Sequence, residues 1–440
     1  MTKKIGVMMS LAVLFFAGFL SIPSEAAVPL DKLKVDLGLQ YRVMYNFSNI
    51  TTSDDYDFFR QRFRVTLDVK PGENVGGSAQ FEYRGGWGGT SPGSSDPRGA
   101  SVTSIPFNRL QARGIRYGYV YFTHDSHLIK AGILPVSDQM GDTIFSADWD
   151  FNVGGAVLIG KAEPLDYRVA YVRLVDSLLD DDPSDSDWDF GHDQNGHLGI
   201  LDINTSIDNV KLGGHVYYLS IDGEAVDTDD DGLGDTPKNT QGWYGVTAAT
   251  KVGEIDLNGF VLFNSGEIGD ESNDGIGVKV EGSLPLGDLK LSAMFLMTTG
   301  DETPAKGFQT IQGLLGSGGY WAYTYIFTPH GPSDVNDFGL EIGNAGYGLR
   351  TIQVKLDIPV SDRLDAQVQA GWFQSSEDVG ASGDGLGTEF GGQVKYGVAK
   401  NLNLEAGAAF ASLDDAAITL YQVADEKSVK EVFARFQLEF

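Results

Sequence analysis

The chain of 440 residues contains no cysteine. That excludes a disulfide scaffold, a thiolate zinc site, an iron–sulfur cluster, a cysteine nucleophile and a lipid-modified N-terminal cysteine. Positive charge is scarce: 32 Lys and Arg stand against 61 Asp and Glu, for a formal charge of −29 at pH 7. A nucleic-acid partner is excluded on that ground, because phosphate binding needs a basic footprint. After the N-terminal stretch there is no apolar run of about 18 residues, the length a membrane-crossing helix needs.

What is present is apolar and rich in glycine. With 42% hydrophobic and 11% aromatic residues the chain has ample surface to bury, which excludes disorder. Its 57 glycines are nearly twice the usual share of about 7%. They suit a β-rich chain with tight turns and crowded walls. The length fits two or three soluble domains, or one large barrel.

Residues 1–26 read as a signal peptide. Lys3 and Lys4 form the charged start, Ile5 to Ile22 the apolar stretch, and Ser24-Glu25-Ala26 sets small residues at the cleavage site. The chain is thus expected to cross the inner membrane and lose this segment, leaving residues 27–440 as a single domain.

From Lys34 onward the dominant period is two. Val35, Leu37, Leu39, Tyr41, Val43 and Tyr45 alternate with Lys34, Asp36, Gln40, Arg42 and Asn46. A strand sends successive side chains to opposite faces, so this segment has one apolar and one wet face. The pattern recurs in Phe59–Lys70, with Arg60, Arg62 and Arg64 on the wet face, and at Ile255–Phe263, Ile352–Ile358 and Leu364–Trp372. No long stretch shows a helical period. Short turns, such as Pro71–Asn74 and Ala399–Asn401, alternate with long polar, glycine-rich or acidic connections. The count is about 18 strands, with 16 possible, nine long loops and eight short turns. Each strand is about 10 residues, as a tilted membrane strand requires. Transmembrane strands of an antiparallel up-and-down β-barrel, with short periplasmic turns and long extracellular loops, fit this pattern. A β-sandwich also alternates. However, the polar face here is charged or amide throughout, and Tyr41, Tyr45, Phe59, Tyr83, Trp87, Trp243 and Trp372 fall where an interfacial aromatic girdle would sit.

The last segment adds a more specific feature. Val432, Ala434, Phe436, Leu438 and the terminal Phe440 alternate. In this the chain resembles the outer-membrane porins of Gram-negative bacteria, whose barrel-assembly machinery reads such an ending at residues like Phe436, Leu438 and Phe440. The resemblance covers the whole chain after the signal. It implies outer-membrane localisation, passive diffusion of ions and small hydrophilic solutes, a homotrimer, contact with outer-membrane lipid and lipopolysaccharide, and an inward constriction loop at about 135–150. Alternatives are a substrate-specific porin for oligosaccharides or small anions, or a structural barrel that anchors or sheathes an envelope partner. No catalytic spacing of Ser, His and Asp is evident, so the chain is not read as an enzyme and requires no cofactor.

Two further charge patterns bear on function. Nine of the 14 arginines lie between Arg42 and Arg116. Arg42, Arg60, Arg62, Arg64 and Arg84 share the wet face of the first three strands, so they are expected to form one patch on the lumen wall, opposed by Asp138 and Asp142 on the inward loop. The alternation slips near Gly114, where a bulge is expected. Two other loops, 176–193 and 221–239, are strongly acidic. In the second, Asp227, Asp229, Asp231 and Asp235 flank Gly232 in an arrangement that resembles a calcium loop, although Lys238 replaces the acidic twelfth ligand. Calcium binding and a solvated acidic loop are both consistent with it. Finally, Tyr320, Trp321, Tyr323 and Tyr325 in the long segment 299–348 suit sugar stacking, a capping loop or a strand pair.

Overall fold

The computed structural model describes residues 33–49, 56–86, 111–148, 151–175, 196–221, 238–311, 321–328, 333, 338–421 and 427–440. The signal segment, Trp87, Arg109, the core of both acidic loops and the Asp227–Asp235 motif lie outside them.

Strands β1 (Lys34–Ser48), β2 (Tyr56–Lys70), β3 (Val75–Gly86), β4 (Gln111–His124), β5 (His127–Pro135) and β6 (Asn152–Ala162) make the first third. Next come β7 (Leu165–Val175), β8 (Gly196–Ile207), β9 (Val210–Ile221), β10 (Asn239–Val252), β11 (Ile255–Ile268) and β12 (Glu271–Leu286). Last are β13 (Leu289–Thr298), β14 (Leu349–Ser361), β15 (Leu364–Ser375), β16 (Gly385–Ala399), β17 (Leu402–Leu413) and β18 (Ser428–Glu439), with a short α-helix, α1 (Asp415–Tyr421), between the last two. Each strand pairs antiparallel with its sequence neighbours, and β18 pairs with β1, so the 18-stranded sheet closes. Backbone hydrogen bonds between Leu39 and Phe440, at 2.6 and 2.9 Å, finish the seam. Closure removes both sheet edges, which a barrel in lipid cannot leave unpaired.

The two faces differ as the alternation requires. Leu37, Val120, Val246, Phe263, Ile352 and Phe390 are half or more exposed, and they form an apolar outer belt. The opposite face of the same strands carries Asn46, Asp202, Gln241, Gln353 and Glu389, all buried inside the barrel. Such polar groups are tolerated there because hydrogen bonds satisfy most of them. Among the described residues no helix is long and apolar enough to cross a membrane.

All eight short turns occur on one rim, at 71–74, 125–126, 163–164, 208–209, 253–254, 287–288, 362–363 and 400–401. The opposite rim departs from expectation at one place. β11 and β12 are joined by Gly269 and Asp270 alone, so one of the nine long loops is instead a tight hairpin. Gly269 has φ +59°, a conformation that costs glycine nothing. The expected bulge is present: the β3–β4 register shifts twice, between Gln80 and Phe81 and between Glu82 and Tyr83, and Gly114 has φ +96°. Trp243 corrects the girdle assignment. It is fully buried on the lumen side, and its Nε1 donates to the Gln309 carbonyl at 2.8 Å, while its neighbour Tyr244 faces outward. Phe59 and Trp372 do face outward.

Candidate functional site in the lumen

The lumen is shaped by one wall and two loops. On the wall, Arg42, Arg62 and Arg84 are direct cross-strand partners on β1, β2 and β3. Neighbouring strands lie about 4.8 Å apart, so three guanidinium groups stand in one rung. Arg60 and Arg64 extend the patch along β2, on the same face. Within the strip, Glu82 on β3 pairs with two of these cations. Arg64 Nε approaches Glu82 at 2.5 Å, and Arg84 pairs with the other oxygen. Amides complete the wall: Arg42 donates to Gln437 at 2.8 Å, and Arg62 to Gln40 at 2.9 Å. The Arg60 guanidinium lies 4.8 Å from the centre of the Phe58 ring. Asp68, on the same face of β2, stands opposite Asp36 and Ser78.

The first loop enters the barrel with its residues 136–148. Met140, Ile144 and Phe145 are buried, and the Phe145 ring packs 5.1 Å from Tyr217. Asp138 organises the loop from within. Its carboxylate accepts from the backbone N–H of Met140 at 2.7 Å, Ile144 at 2.5 Å and Phe145 at 3.0 Å. Burial pushes this carboxyl up to about 6 against the opposing pull of those three bonds, with Asp142 adding to the rise. Asp138 therefore turns into its own loop and not toward the arginines. Asp142 has φ +56°. Burial raises its carboxyl too, with Asp148 adding to the rise; Ser137, Ser146 and the Lys279 cation oppose it.

The loop is strapped at both ends. Arg116 on β4 bonds to Gln80 at 3.1 Å and to the Ala147 carbonyl at 2.7 Å, which joins the arginine wall to the loop. At the other end Arg168 donates to the Ser137 carbonyl at 2.8 Å, and Gln139 N–H to the Tyr217 hydroxyl at 3.2 Å. Arg168 and Tyr217 converge in turn on Asp202, at 2.6 and 2.7 Å, with His215 Nδ1 also 2.7 Å away. This hub joins β7, β8 and β9. Asp202, Arg168 and Tyr217 are isolated in sequence and carry no motif; only the shared inward parity of their strands could have flagged them.

The described parts of the second loop, 299–311, 321–328 and 338–348, line the other side. Glu389 on β16 accepts from the N–H groups of Tyr325 at 2.6 Å, Ile326 at 3.1 Å and Phe327 at 3.0 Å. The Tyr323 hydroxyl donates to Glu281 at 2.5 Å, and Lys279 to the Trp321 carbonyl at 3.3 Å. Trp321, Tyr325 and Phe327 are buried against the wall, not presented to a solute.

The arrangement is thus a barrel whose bore holds two of its own loops beside a densely cationic strip. Among the described residues no group of three His, Cys, Asp or Glu side chains could hold a metal. His124 and His127 flank a two-residue turn, with His124 Nε2 3.5 Å from Asp125.

No protein-family model matches the chain, and no curated protein matches it in sequence. Solved structures do. OpdQ of Pseudomonas aeruginosa superposes with a TM-score of 0.59 at 12% identity, over 92% of this chain and 99% of that one. OpdK of the same organism, solved with vanillate, gives 0.57 at 13%, over 92% and 98%. OccK2 (OpdF), solved in complex with glucuronate, gives 0.57 at 12%, over 92% and 98%. At this identity the likeness is one of fold: the chain has the architecture of an outer-membrane porin.

Proposed function

We propose that the protein is an outer-membrane porin through which ions and small hydrophilic solutes diffuse passively, with a preference for anions set by the arginine strip. The observation that carries this reading is the rung Arg42–Arg62–Arg84, flanked on the same face of β2 by Arg60 and Arg64. In a narrow, low-dielectric passage such a strip concentrates anions. The test is planar-bilayer conductance of the purified protein in a salt gradient. A reversal potential on the anion side supports the reading. A cation-side potential overturns the anion preference, and an absence of conductance favours a structural anchor or sheath.

A narrower reading, a channel for small organic anions, draws support from the same strip. It is also consistent with the vanillate and glucuronate of the OpdK and OccK2 structures. Half-blocking of the current by such a carboxylate would favour it over general diffusion; an oligosaccharide block would favour a sugar channel. The homotrimer is a further proposal, checked by the mass of the detergent-solubilised protein. Phe436 and Phe440 face outward on the closing strand, where an assembly factor could read them with Leu438. The loop bearing Asp227, Asp229, Asp231 and Asp235 is proposed to take calcium; the absence of calorimetric heat at millimolar calcium would end that idea.

A further inference from the structure

On the side of the bore formed by β13–β16, at the short-turn rim, two adjacent rungs carry charges of both signs. In one, Lys290, Asp357, Gln367 and Gln393 are successive cross-strand partners. In the next, Asp365 stands beside Lys395. These side chains face the bore. Lys355, on the same face as Asp357, lies 4.9 Å from the centre of the Tyr323 ring inside the barrel, and Gln353 and Gln369 are buried on the same faces of β14 and β15. The rungs border a cavity of about 430 Å³, at the small end of the size range of ligand pockets.

The charges around it are poorly matched to one another. Neither Lys290 nor Asp365 has an ion pair among the described residues, although each has an opposite charge as its direct partner. Lys395 reaches Glu405 only at 3.9 Å, and Glu405 is held at 2.5 Å by Arg435. Asp357 is 3.7 Å from Lys355. Gln393 Oε1 is buried and accepts no hydrogen bond. A buried acceptor without a donor is costly, so a solute N–H group is favoured at this one atom.

We infer that this cavity is a binding station for a small zwitterion bearing an ammonium and a carboxylate group close together, the chemistry of an α-amino acid. Asp357 and Asp365 are diagonal neighbours, about 7 Å apart in such a pairing, and converge on one ammonium. Lys395, the direct partner of Asp365, receives the carboxylate, while Gln393 Oε1 takes a further ammonium proton. A simple anion would meet the carboxylates, and a simple cation the lysines; a zwitterion satisfies both. The station is distinct from the arginine strip, which lies on β1–β3. It rests on the pore reading above, because its solute must enter through the bore.

The test uses the full-length protein in a planar bilayer, with glycine or its neutral isomer glycolamide added to both chambers. Glycine is expected to reduce the open-channel current in a saturable way, half-maximally at about millimolar concentration, and glycolamide to leave it unchanged. Asp365→Asn and Lys395→Gln are each expected to raise the half-saturating glycine concentration about threefold or more. Lys161→Gln, at a different short turn, leaves it unaltered. Should one of the two pocket variants fail to insert, the other carries the comparison. A steady channel that responds equally to glycine and glycolamide, or a glycine response that both pocket variants retain in full, overturns the station alone. An absence of channels overturns the pore reading, and the station with it.

Discussion

Arg64 Nε lies 2.5 Å from a Glu82 oxygen, and the other oxygen of the same carboxylate pairs with Arg84. Glu82 is 4% exposed, so one buried anion compensates the centre of the arginine strip. Removing one partner of a buried pair leaves an uncompensated charge. Glu82→Gln is therefore expected to destabilise the barrel by about 3 kcal/mol. The midpoint of urea unfolding in detergent checks this, and an unshifted midpoint would show that the strip does not need its counter-charge.

The strip should also govern ion preference. In Arg60→Ala combined with Arg62→Ala, the anion-to-cation permeability ratio is expected to fall by about tenfold at low salt. The effect should shrink between 0.1 and 1 M salt, as the screening length drops from about 10 to about 3 Å. Unchanged reversal potentials would count against the selectivity role.

Asp138 links the inward loop to pH. Its carboxyl is raised to about 6 in the folded chain, above the unfolded value of about 3.9. The folded state thus holds this proton more tightly than the unfolded one. Its contribution is fully present below about pH 4 and is lost as pH rises through about 6, an effect of roughly 2 to 3 kcal/mol. Asp138→Asn, which cannot titrate, is expected to flatten the stability profile across that window. Identical pH profiles for the two proteins in urea titrations would sink the assignment.

The second loop hangs on Glu389, whose carboxylate receives three consecutive N–H groups. Glu389→Ala leaves these donors without their acceptor, at a cost of about 1–3 kcal/mol for each one left buried and unbonded. The segment 321–328 is then expected to leave the wall, and single-channel records should show a changed conductance with frequent flickering. A steady current equal to that of the wild type would mean that the loop is held by its aromatic packing alone.

Much of the architecture was legible before the fold was known. The eight short turns, the strand number, the shared face of Arg42, Arg60, Arg62, Arg64 and Arg84, and the irregularity near Gly114 all follow from period-two alternation. These features depend on residues close in sequence, or on hairpin neighbours. The hairpin at Gly269–Asp270 was harder to see, because a polar stretch at a strand end resembles a loop whether or not its residues pair. Trp243 was misplaced because β10 carries an outward tyrosine immediately beside it, and aromatic content alone does not reveal which of two adjacent rings faces lipid.

The sequence by itself determined a closed sheet of alternating strands, since only a barrel satisfies both an apolar outer face and every backbone hydrogen bond in lipid. It also determined that five arginines line one strip. Tertiary structure decided what fills the bore and what holds it there. The Asp202 hub, the Arg116 strap, the inward turn of Asp138 and the grip of Glu389 join segments that are far apart in the chain or distinguished by no local pattern. Their pairing became visible only when the barrel closed and the two loops were packed inside it.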